Sequence, residues 1–232
     1  TPLQCVELYK STHPELQGVS MSYAGRLDPM ASGTLLILLG EECKNQKEYH
    51  NLDKEYEFEI LFGLSSDTAD VLGRLTENTE LPTITQEQIK KVTKGLIGEL
   101  DLPYPHFSSK TVQGKPLHTW TLEGRIDEIE IPTKKSQIHT LTCTNLYKET
   151  RKQVYTYAST KIETIPPVTE LRKAIGNDFR RVDVRKDWET FIENGSFEDI
   201  FYVATFTCTA SSGTYMRTLA EVIAKACDTT GL

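Results

Sequence analysis

The 232-residue sequence lacks the features of several protein classes. Its five cysteines are scattered and odd in number, with no C-x-x-C spacing, so neither a disulfide framework nor a zinc site is expected. No apolar run approaches the length of a membrane span, and no N-terminal stretch has the composition of a signal peptide. These absences favour a cytosolic protein with reduced thiols.

Positive charge is also scarce. The chain has 26 Lys and Arg against 33 Asp and Glu, which gives a formal net charge of -7. A general nucleic-acid binder usually carries a basic excess that neutralises phosphates, so this balance disfavours one while leaving room for a local basic cleft. With 38 % hydrophobic residues, the chain is long enough for one large domain or two small ones.

The stretch YAGRLDPMASGTLLILLG (23–40) is the most distinctive part of the sequence. Gly25 and Gly33 allow positive φ, and Pro29 fixes its own φ directly after Asp28. The apolar run 34–39 predicts a strand buried on both faces. The pattern therefore predicts a carboxylate on a constrained loop anchored to the core. A surface turn in which Asp28 accepts local backbone hydrogen bonds is the alternative.

Hydrophobic periodicity predicts both helices and strands along the rest of the chain. Thr1 followed by Pro2 is typical of a helix N-terminus, and Thr85 with Gln88 has the spacing of a capping box. Alternating or Thr-rich runs predict strands at 54–62, 137–146, 153–162 and 201–210. A last helix, after residue 214, carries an apolar face formed by Leu219, Val222, Ile223 and Ala226. The pattern predicts an α+β fold with helices laid against a sheet.

Four pieces of the sequence resemble, in order and spacing, the TruB family of pseudouridine synthases, which isomerise a uridine in the T-loop of tRNA. The pieces are GRLDPMASG (25–33), KEYEFEILFG with SSDTADVLGR (54–63 and 65–74), PYPHFSSKTVQGKPL (103–117) and SSGTYMRTLAE (211–221). The resemblance runs from Thr1 to about Trp120 and resumes near Phe201. It implies the pseudouridine synthase fold, with a mixed, mainly antiparallel sheet flanked by helices.

The resemblance also implies a domain organisation. We expect a single catalytic domain over residues 1–232, with a family-atypical insertion at about 148–199. The charged, helix-compatible part of that insertion, 166–199, is interpreted either as a solvated surface or as an RNA-contacting arm. Because the chain opens without a methionine, we expect it to be truncated at both ends. The family's C-terminal RNA-binding (PUA-like) domain would lie beyond it.

By this resemblance Asp28 is the catalytic aspartate. Isomerisation breaks the C1′–N1 bond, turns the base and rejoins it through C5. A carboxylate can act there as a nucleophile, or as a base in a glycal route, without a metal or cofactor. Arg217 matches the arginine that pairs with this aspartate, since a guanidinium grips a carboxylate bidentately. Arg26, two residues before Asp28, is the alternative partner for this aspartate. The alternative interpretation of Arg217 is an arginine on the exposed side of a helix start.

Three further residues match substrate-binding or supporting positions of the family. Tyr56 is expected to stack on the flipped uridine, although an inward tyrosine on a strand is ordinarily part of the core. Tyr215 is expected to line the pocket, or simply to pack at a helix start. Asp70 is expected to join the arginine–aspartate network, or to cap an Asx turn.

Four lysines lie close in sequence to these motifs and are candidate RNA phosphate contacts, each with plain surface exposure as the alternative. They are Lys44, Lys54, Lys110 and Lys115. The sequence also departs from the family pattern at two places. Tyr23 replaces the usual histidine, although its ring could still occupy the space vacated by the flipped base. Leu122 replaces a usual arginine, which puts one substrate-strand contact in doubt.

The leading hypothesis is therefore a cytoplasmic, monomeric enzyme that flips uridine 55 out of the tRNA T-stem-loop and isomerises it, without a cofactor, metal or membrane. The same chemistry on another RNA is the second hypothesis. The third is a non-catalytic RNA-binding or folding factor on the same scaffold. The presence of Asp28, Tyr56 and Arg217 together argues against this third hypothesis, because a binder has no need of all three.

Overall fold

The computed structural model describes residues 1–165 and 180–232. Its helices, in order, are α1 (Pro2–Thr12), α2 (Gln46–His50), α3 (Gln86–Gly95), α4 (Leu117–Leu122), α5 (Arg151–Thr164), α6 (Arg181–Glu193) and α7 (Met216–Ala226). Its strands are β1 (Met21–Ala24), β2 (Leu36–Leu39), β3 (Lys54–Leu61), β4 (Leu64–Ser66), β5 (Leu75–Glu77), β6 (Gly98–Pro103), β7 (Thr111–Val112), β8 (Lys115–Pro116), β9 (Thr133–Thr150) and β10 (Ile200–Ala210). The α+β class predicted from the sequence is confirmed.

The chain forms two compact units, Thr1–Asp53 and Lys54–Leu232. The first begins with the predicted helix: the Thr1 hydroxyl accepts from the Gln4 N–H, and the Gln4 side chain accepts from the Thr1 amino group in return. Strands β1 and β2 then form an antiparallel hairpin whose long connection, residues 25–35, contains Asp28.

The prediction that 34–39 is a strand buried on both faces is wrong. In β2 only Leu38 is buried, while Leu36 and Leu39 are 37 % and 36 % exposed. The reason is that β2 belongs to a two-stranded sheet, which does not supply the second cover that an internal strand has.

The second unit is built on a four-stranded sheet with the order β3-β10-β9-β6, in which each neighbouring pair is antiparallel. Helix α7 packs against β3 and β6, and α3 packs against β9. The alternation predicted for β3 is confirmed, because Tyr56, Phe58 and Ile60 are half-buried or buried while Glu55, Glu57 and Glu59 are exposed. The side chains at the centre of this core are Ile60, Phe62, Ile138, Phe206, Leu219 and Ile223.

The prediction of a strand at 153–162 is wrong, since this segment lies in α5. Its N-cap Thr150 and Gln153 form a complete capping box, and Val154, Ala158 and Ile162 are buried at a helical spacing of four. Threonine content suggested a strand, but the capping residues and the period of the apolar positions decided the outcome.

Two smaller predictions about helices need correction. Thr85 does cap α3 by accepting from the Gln88 N–H at 3.2 Å, but the Gln88 side chain donates to the Cys227 carbonyl instead of closing a capping box. In α7 Ala226 is exposed, and Ala220 and Ala224 complete the buried face.

Helices α5 and α6 pack against each other within the stretch predicted as an insertion, of which residues 166–179 lie outside the described residues. The guanidinium of Arg151 is buried where the two helices meet the sheet. It lies 2.5 Å from Glu77 Oε1 and 3.0 Å from Asp199 Oδ2, and donates to the Phe191 carbonyl at 2.7 Å. Both the single-domain organisation and the insertion stay predictions.

Within 1–165 and 180–232, no helix is long and apolar enough to cross a membrane. The same described residues contain no group of three or more His, Cys, Asp or Glu side chains placed to hold a metal ion.

Candidate active site

The loop that contains Asp28 is exposed, and its backbone folds into a turn in which the Asp28 carbonyl accepts from the Ala31 N–H at 2.9 Å. Gly25 opens the loop with φ +88°, a conformation that side-chain-bearing residues rarely adopt. Arg26 is exposed on the same loop. The positive φ of Gly25 agrees with the constrained loop predicted from the sequence, whereas the strand that follows the loop is not the buried one that was predicted. The pairing of Asp28 with Arg217 or Arg26 stays a prediction.

Tyr23 lies on β1, paired with Ile37 of β2, and is half-buried. Its carbonyl accepts from the Gln46 side chain at the start of α2, which ties the strand to that helix. This anchors Tyr23 just before the loop of Asp28.

A second acidic hairpin loop, residues 67–74 between β4 and β5, holds Asp70 in the larger unit. One carboxylate oxygen of Asp70 accepts from the Thr68 hydroxyl at 2.6 Å and from the Leu72 N–H at 3.0 Å. The Ser66 hydroxyl donates to the Asp70 carbonyl at 2.6 Å. Asp70 thus forms the Asx-type turn that was one interpretation of the sequence.

The other Asp70 oxygen faces Arg217, and a role of Asp70 in a network that includes Asp28 stays a prediction. Arg217 Nε lies 4.0 Å from Asp70 Oδ2, and both side chains are nearly buried. Arg217 Nη1 donates to the Thr68 carbonyl at 2.8 Å, and Nη2 lies 3.5 Å from the Phe107 carbonyl. Arg217 sits in the first turn of α7 and reaches two loops that are far apart in sequence. The alternative of an exposed helix-start arginine is therefore wrong.

Tyr215, the N-cap residue of α7, meets Tyr104 edge-on with ring centroids 5.8 Å apart. Lys110 places its ammonium 5.0 Å from the centroid of the same Tyr104 ring. A cation over an aromatic face is attracted by the ring quadrupole. Tyr215 and Lys110, two of the predicted residues, therefore meet around a third side chain that the sequence did not single out.

Tyr56 lies on β3, opposite Cys208 of β10 and on the same strand face as Phe58, which stacks on Phe206 at 5.3 Å. Phe206 and Cys208 are fully buried, whereas Tyr56 is half-buried. Its ring is therefore at the margin of the core, a position compatible with either packing or base stacking. The stacking role stays a prediction.

Two lysines converge on the turn that precedes α7. Lys134 Nζ donates to the Ser212 carbonyl at 2.6 Å, and Lys54 Nζ lies 3.4 Å from the Ser212 hydroxyl. Partial burial lowers the pKa of Lys134, and the nearby Lys54 charge lowers it further. Lys134 was missed by sequence reasoning because the turn at Ser212 is 78 residues away from it along the chain.

Two of the other candidate lysines are engaged by carboxylates. Lys115 lies 2.5 Å from Glu123 and sits over the Trp120 ring, and Lys44 lies 2.5 Å from Glu41 on an exposed 3-10 helix. A lysine already paired with an acid has less charge to offer a phosphate. Lys44 and Lys115 are thus less well placed for a phosphate contact than the prediction supposed.

Together these contacts describe an α+β unit in which loop 67–74 makes polar contacts with Arg217 at the start of α7. A family model described as TruB family pseudouridylate synthase (N terminal domain) matches residues 15–164, which is more than half of the chain. The chain belongs to the TruB family of pseudouridylate synthases.

Curated relatives agree with this assignment. The chain is 36 % identical over 121 residues to tRNA pseudouridine synthase B of Caldanaerobacter subterraneus subsp. tengcongensis, covering 52 % of this chain and 42 % of the relative. It is 35 % identical over 143 residues to tRNA pseudouridine synthase B of Caldicellulosiruptor saccharolyticus, covering 62 % and 46 %. Against tRNA pseudouridine synthase 4 of Saccharomyces cerevisiae it is 29 % identical over 164 residues, covering 69 % and 40 %. The chain spans less than half the length of these relatives.

Proposed function

We propose that this chain isomerises uridine to pseudouridine in RNA, with uridine 55 of the tRNA T-stem-loop as its substrate. Membership of the TruB family and the names of the curated relatives support the reaction and the class of RNA. The observation that carries the proposal is the contact between the GTYMR and SSDTAD segments, where Arg217 Nε lies 4.0 Å from Asp70 Oδ2 and Nη1 donates to the Thr68 carbonyl at 2.8 Å.

Each proposed residue has a defined part in the reaction. The uridine leaves the RNA stack, and an aromatic face at Tyr56 or Tyr215 receives it. Asp28 acts on the sugar, as a nucleophile at C1′ or as a base in a glycal route, while the C1′–N1 bond breaks. The base turns, C5 bonds to C1′ and gives up its proton, and N1 gains one. The atoms of the uridine are conserved, so no co-reactant is consumed.

Charge supports the proposal locally. Lys54 and Lys134 approach one turn, and Lys110 lies over the ring of Tyr104 beside Tyr215. Such a cluster can neutralise RNA phosphates although the whole chain carries a net charge of -7. A cytosolic location and a monomeric state are part of the same proposal.

The experiment that tests the proposal compares three purified proteins on an unmodified tRNA transcript: the parent chain, Asp28→Asn and Asp127→Asn. Carbodiimide labelling followed by mass spectrometry locates pseudouridine in the product. We expect the parent and the control Asp127→Asn, whose carboxylate is exposed, to form pseudouridine at position 55. Asp28→Asn should form none, because it keeps the size of the side chain and removes the ionised oxygen that the chemistry needs.

Turnover in Asp28→Asn above the level of host contamination would overturn the catalytic assignment. Pseudouridine absent from tRNA but formed in other RNA of a total extract would reassign the substrate and keep the reaction. If the parent binds RNA and forms no pseudouridine in any of it, the chain is a binding factor on the same scaffold.

A further inference from the structure

Helix α6 holds the loop that contains Asp70. Trp188, which is 1 % exposed, donates its indole N–H to the Val71 carbonyl at 3.0 Å. Asp187 accepts from Arg74 Nε at 2.6 Å and from the Leu75 N–H at 3.1 Å. The C-terminal half of loop 67–74 is thus fixed to one face of α6.

Arg180, directly before α6, holds the other half of the same loop. Both of its terminal nitrogens engage the Asp67 carboxylate, Nη2 lying 3.2 Å from Oδ1. The guanidinium lies over the Phe107 ring, with Cζ 4.4 Å from the ring centroid. Arg180 therefore connects loop 67–74 with the segment around Phe107.

These are the two segments that position Arg217. The carbonyls that face the Arg217 guanidinium belong to Thr68, next to Asp67, and to Phe107 itself. Arg180 thus contacts both of the segments whose carbonyls face the Arg217 guanidinium. Loop 67–74 also supplies Asp70, so the residue that Arg180 holds, Asp67, is three positions from the Arg217 partner Asp70 and next to the Arg217 acceptor Thr68.

The backbone at Arg180 indicates that these contacts fix its conformation. Its φ of 62° and ψ of 20° are left-handed, which is uncommon for a residue with a long side chain. It precedes α6 where a Ser, Thr, Asp or Asn usually caps, and its side chain makes no cap hydrogen bond. A strained backbone persists when the surrounding contacts over-determine it, and here these contacts are Asp67 and Phe107.

We propose that Arg180 is a positioning residue that acts through Arg217, an inference that rests on the proposed function. The rival role for Arg180 is a direct phosphate contact on an RNA-binding arm. Its side chain is only 17 % exposed, both of its terminal nitrogens are engaged by the Asp67 carboxylate, and the guanidinium lies against the Phe107 ring. A charge satisfied in this way has little left for a phosphate, so the geometry favours positioning.

The test compares Arg180→Gln with the matched control Arg185→Gln, which lies on α6 and removes an exposed ion pair with Glu163. Single-turnover rates at saturating tRNA, dissociation constants for tRNA and thermal unfolding are measured for both. For Arg180→Gln we expect a rate loss of about tenfold or more, since small misplacements of catalytic groups are costly. Its dissociation constant should stay within about twofold and its Tm within a few degrees. Arg185→Gln should match the parent in all three.

A measurement without RNA separates this inference from the proposed function. The amides of Asp70 and Leu72 are bonded to Ser66 Oγ and to the Asp70 carboxylate, and hydrogen exchange reports how often those bonds open. We expect faster exchange at both amides in Arg180→Gln and parental exchange in Arg185→Gln. If the parent forms no pseudouridine but the exchange result holds, the proposed function fails, whereas the inference that Arg180 holds loop 67–74 stands.

Three outcomes would overturn the positioning role. The first is a parental rate in Arg180→Gln. The second is a weaker dissociation constant that accounts for the whole loss, which makes Arg180 an RNA contact. The third is a fall in Tm large enough to explain the loss by unfolding, which makes Arg180 a general structural residue.

Discussion

Among the single residues, Tyr56 is where packing and chemistry compete most closely. It is half-buried beside Phe58 on β3, next to fully buried neighbours on β10. If the ring only packs, Tyr56→Ala should cost about 3 kcal/mol of unfolding free energy or less for a half-buried side chain, and activity should follow stability. If the ring stacks on the flipped uridine, catalysis should fall far beyond the loss of stability, because stacking alone contributes about 1–3 kcal/mol per base.

We expect the second result. On the hypothesis that the hydroxyl moves a proton at C5, we also expect Tyr56→Phe to bind tRNA normally and turn over slowly. Single-turnover kinetics and urea unfolding of both variants are the measurements. A parental rate in Tyr56→Phe would mean that the hydroxyl has no part in the chemistry and that the ring acts by stacking alone. A parental rate in Tyr56→Ala would mean that Tyr56 only packs in the core.

The residues that sequence motifs located and those they missed differ in a simple way. Asp70 and Arg217 stand inside short segments with a recognisable pattern, so both could be named before any coordinates. Arg180 and Lys134 act on residues 113 and 78 positions away, Asp67 and Ser212, and neither stands in a patterned segment. Only the fold brings such pairs together.

At the scale of elements, loop 67–74 is closed tightly around Gly73. A methyl group at Gly73 would come within 2.3 Å of the Thr68 hydroxyl and within 2.7 Å of both Asp67 Oδ1 and Ser66 Oγ. Gly73→Ala should therefore displace the side chains that fold the loop, with a loss of about 1–3 kcal/mol typical of overpacking. Activity should fall as well, because the same loop carries Asp70.

Gly95→Ala is the matched control, since a methyl group there meets nothing within 4 Å at the end of α3. Removing a helical glycine should stabilise the protein by about 0.5–1 kcal/mol. Urea midpoints and isomerisation rates of the two variants are compared with the parent. Equal midpoints for Gly73→Ala and the parent would mean that the loop relaxes freely and does not hold Asp70 in place.

Strands with a clear hydrophobic period were predicted well. The segment 153–162 was predicted wrongly because its threonine content favours a strand whereas its capping residues favour a helix. The alternation of β3 and the long strand β10 were visible in the sequence, because both bury one regular set of side chains. The segment that became α5 was assigned by its threonines, although the capping pair Thr150 and Gln153 was already in the sequence. The exposure of β2 depends on the size of its sheet, which local sequence does not encode.

The whole molecule carries a negative net charge, although its proposed substrate, RNA, is negatively charged as well. With a net charge of -7, the surface as a whole repels phosphate, so affinity has to come from clusters such as Lys54 with Lys134. We expect the dissociation constant for tRNA to rise steeply with salt, because each neutralised phosphate releases counterions. Lys134→Gln should reduce the logarithmic salt slope by about one.

Lys135→Gln is the control for this experiment, since Lys135 is the adjacent residue on β9 and is paired at 2.7 Å with Glu99. Its salt slope should equal that of the parent. A salt-independent affinity in the parent would instead indicate a small-molecule site. Equal slopes for the Lys134 and Lys135 variants would remove Lys134 from the RNA contact.

The order of the strands has a consequence for synthesis on the ribosome. Strand β3 lies at the edge of its sheet against β10, and Leu61 and Gly63 bond further to Leu232 and Thr230. At about 5–20 residues per second, translation reaches β10 on the order of 10 s after β3 has been made. During that interval Phe58 and Ile60 lack Phe206 and Ala204, their partners in the finished sheet. The nascent chain therefore presents an unpaired apolar strand, and its yield in the cell should depend on chaperones that cover that strand until the last one arrives.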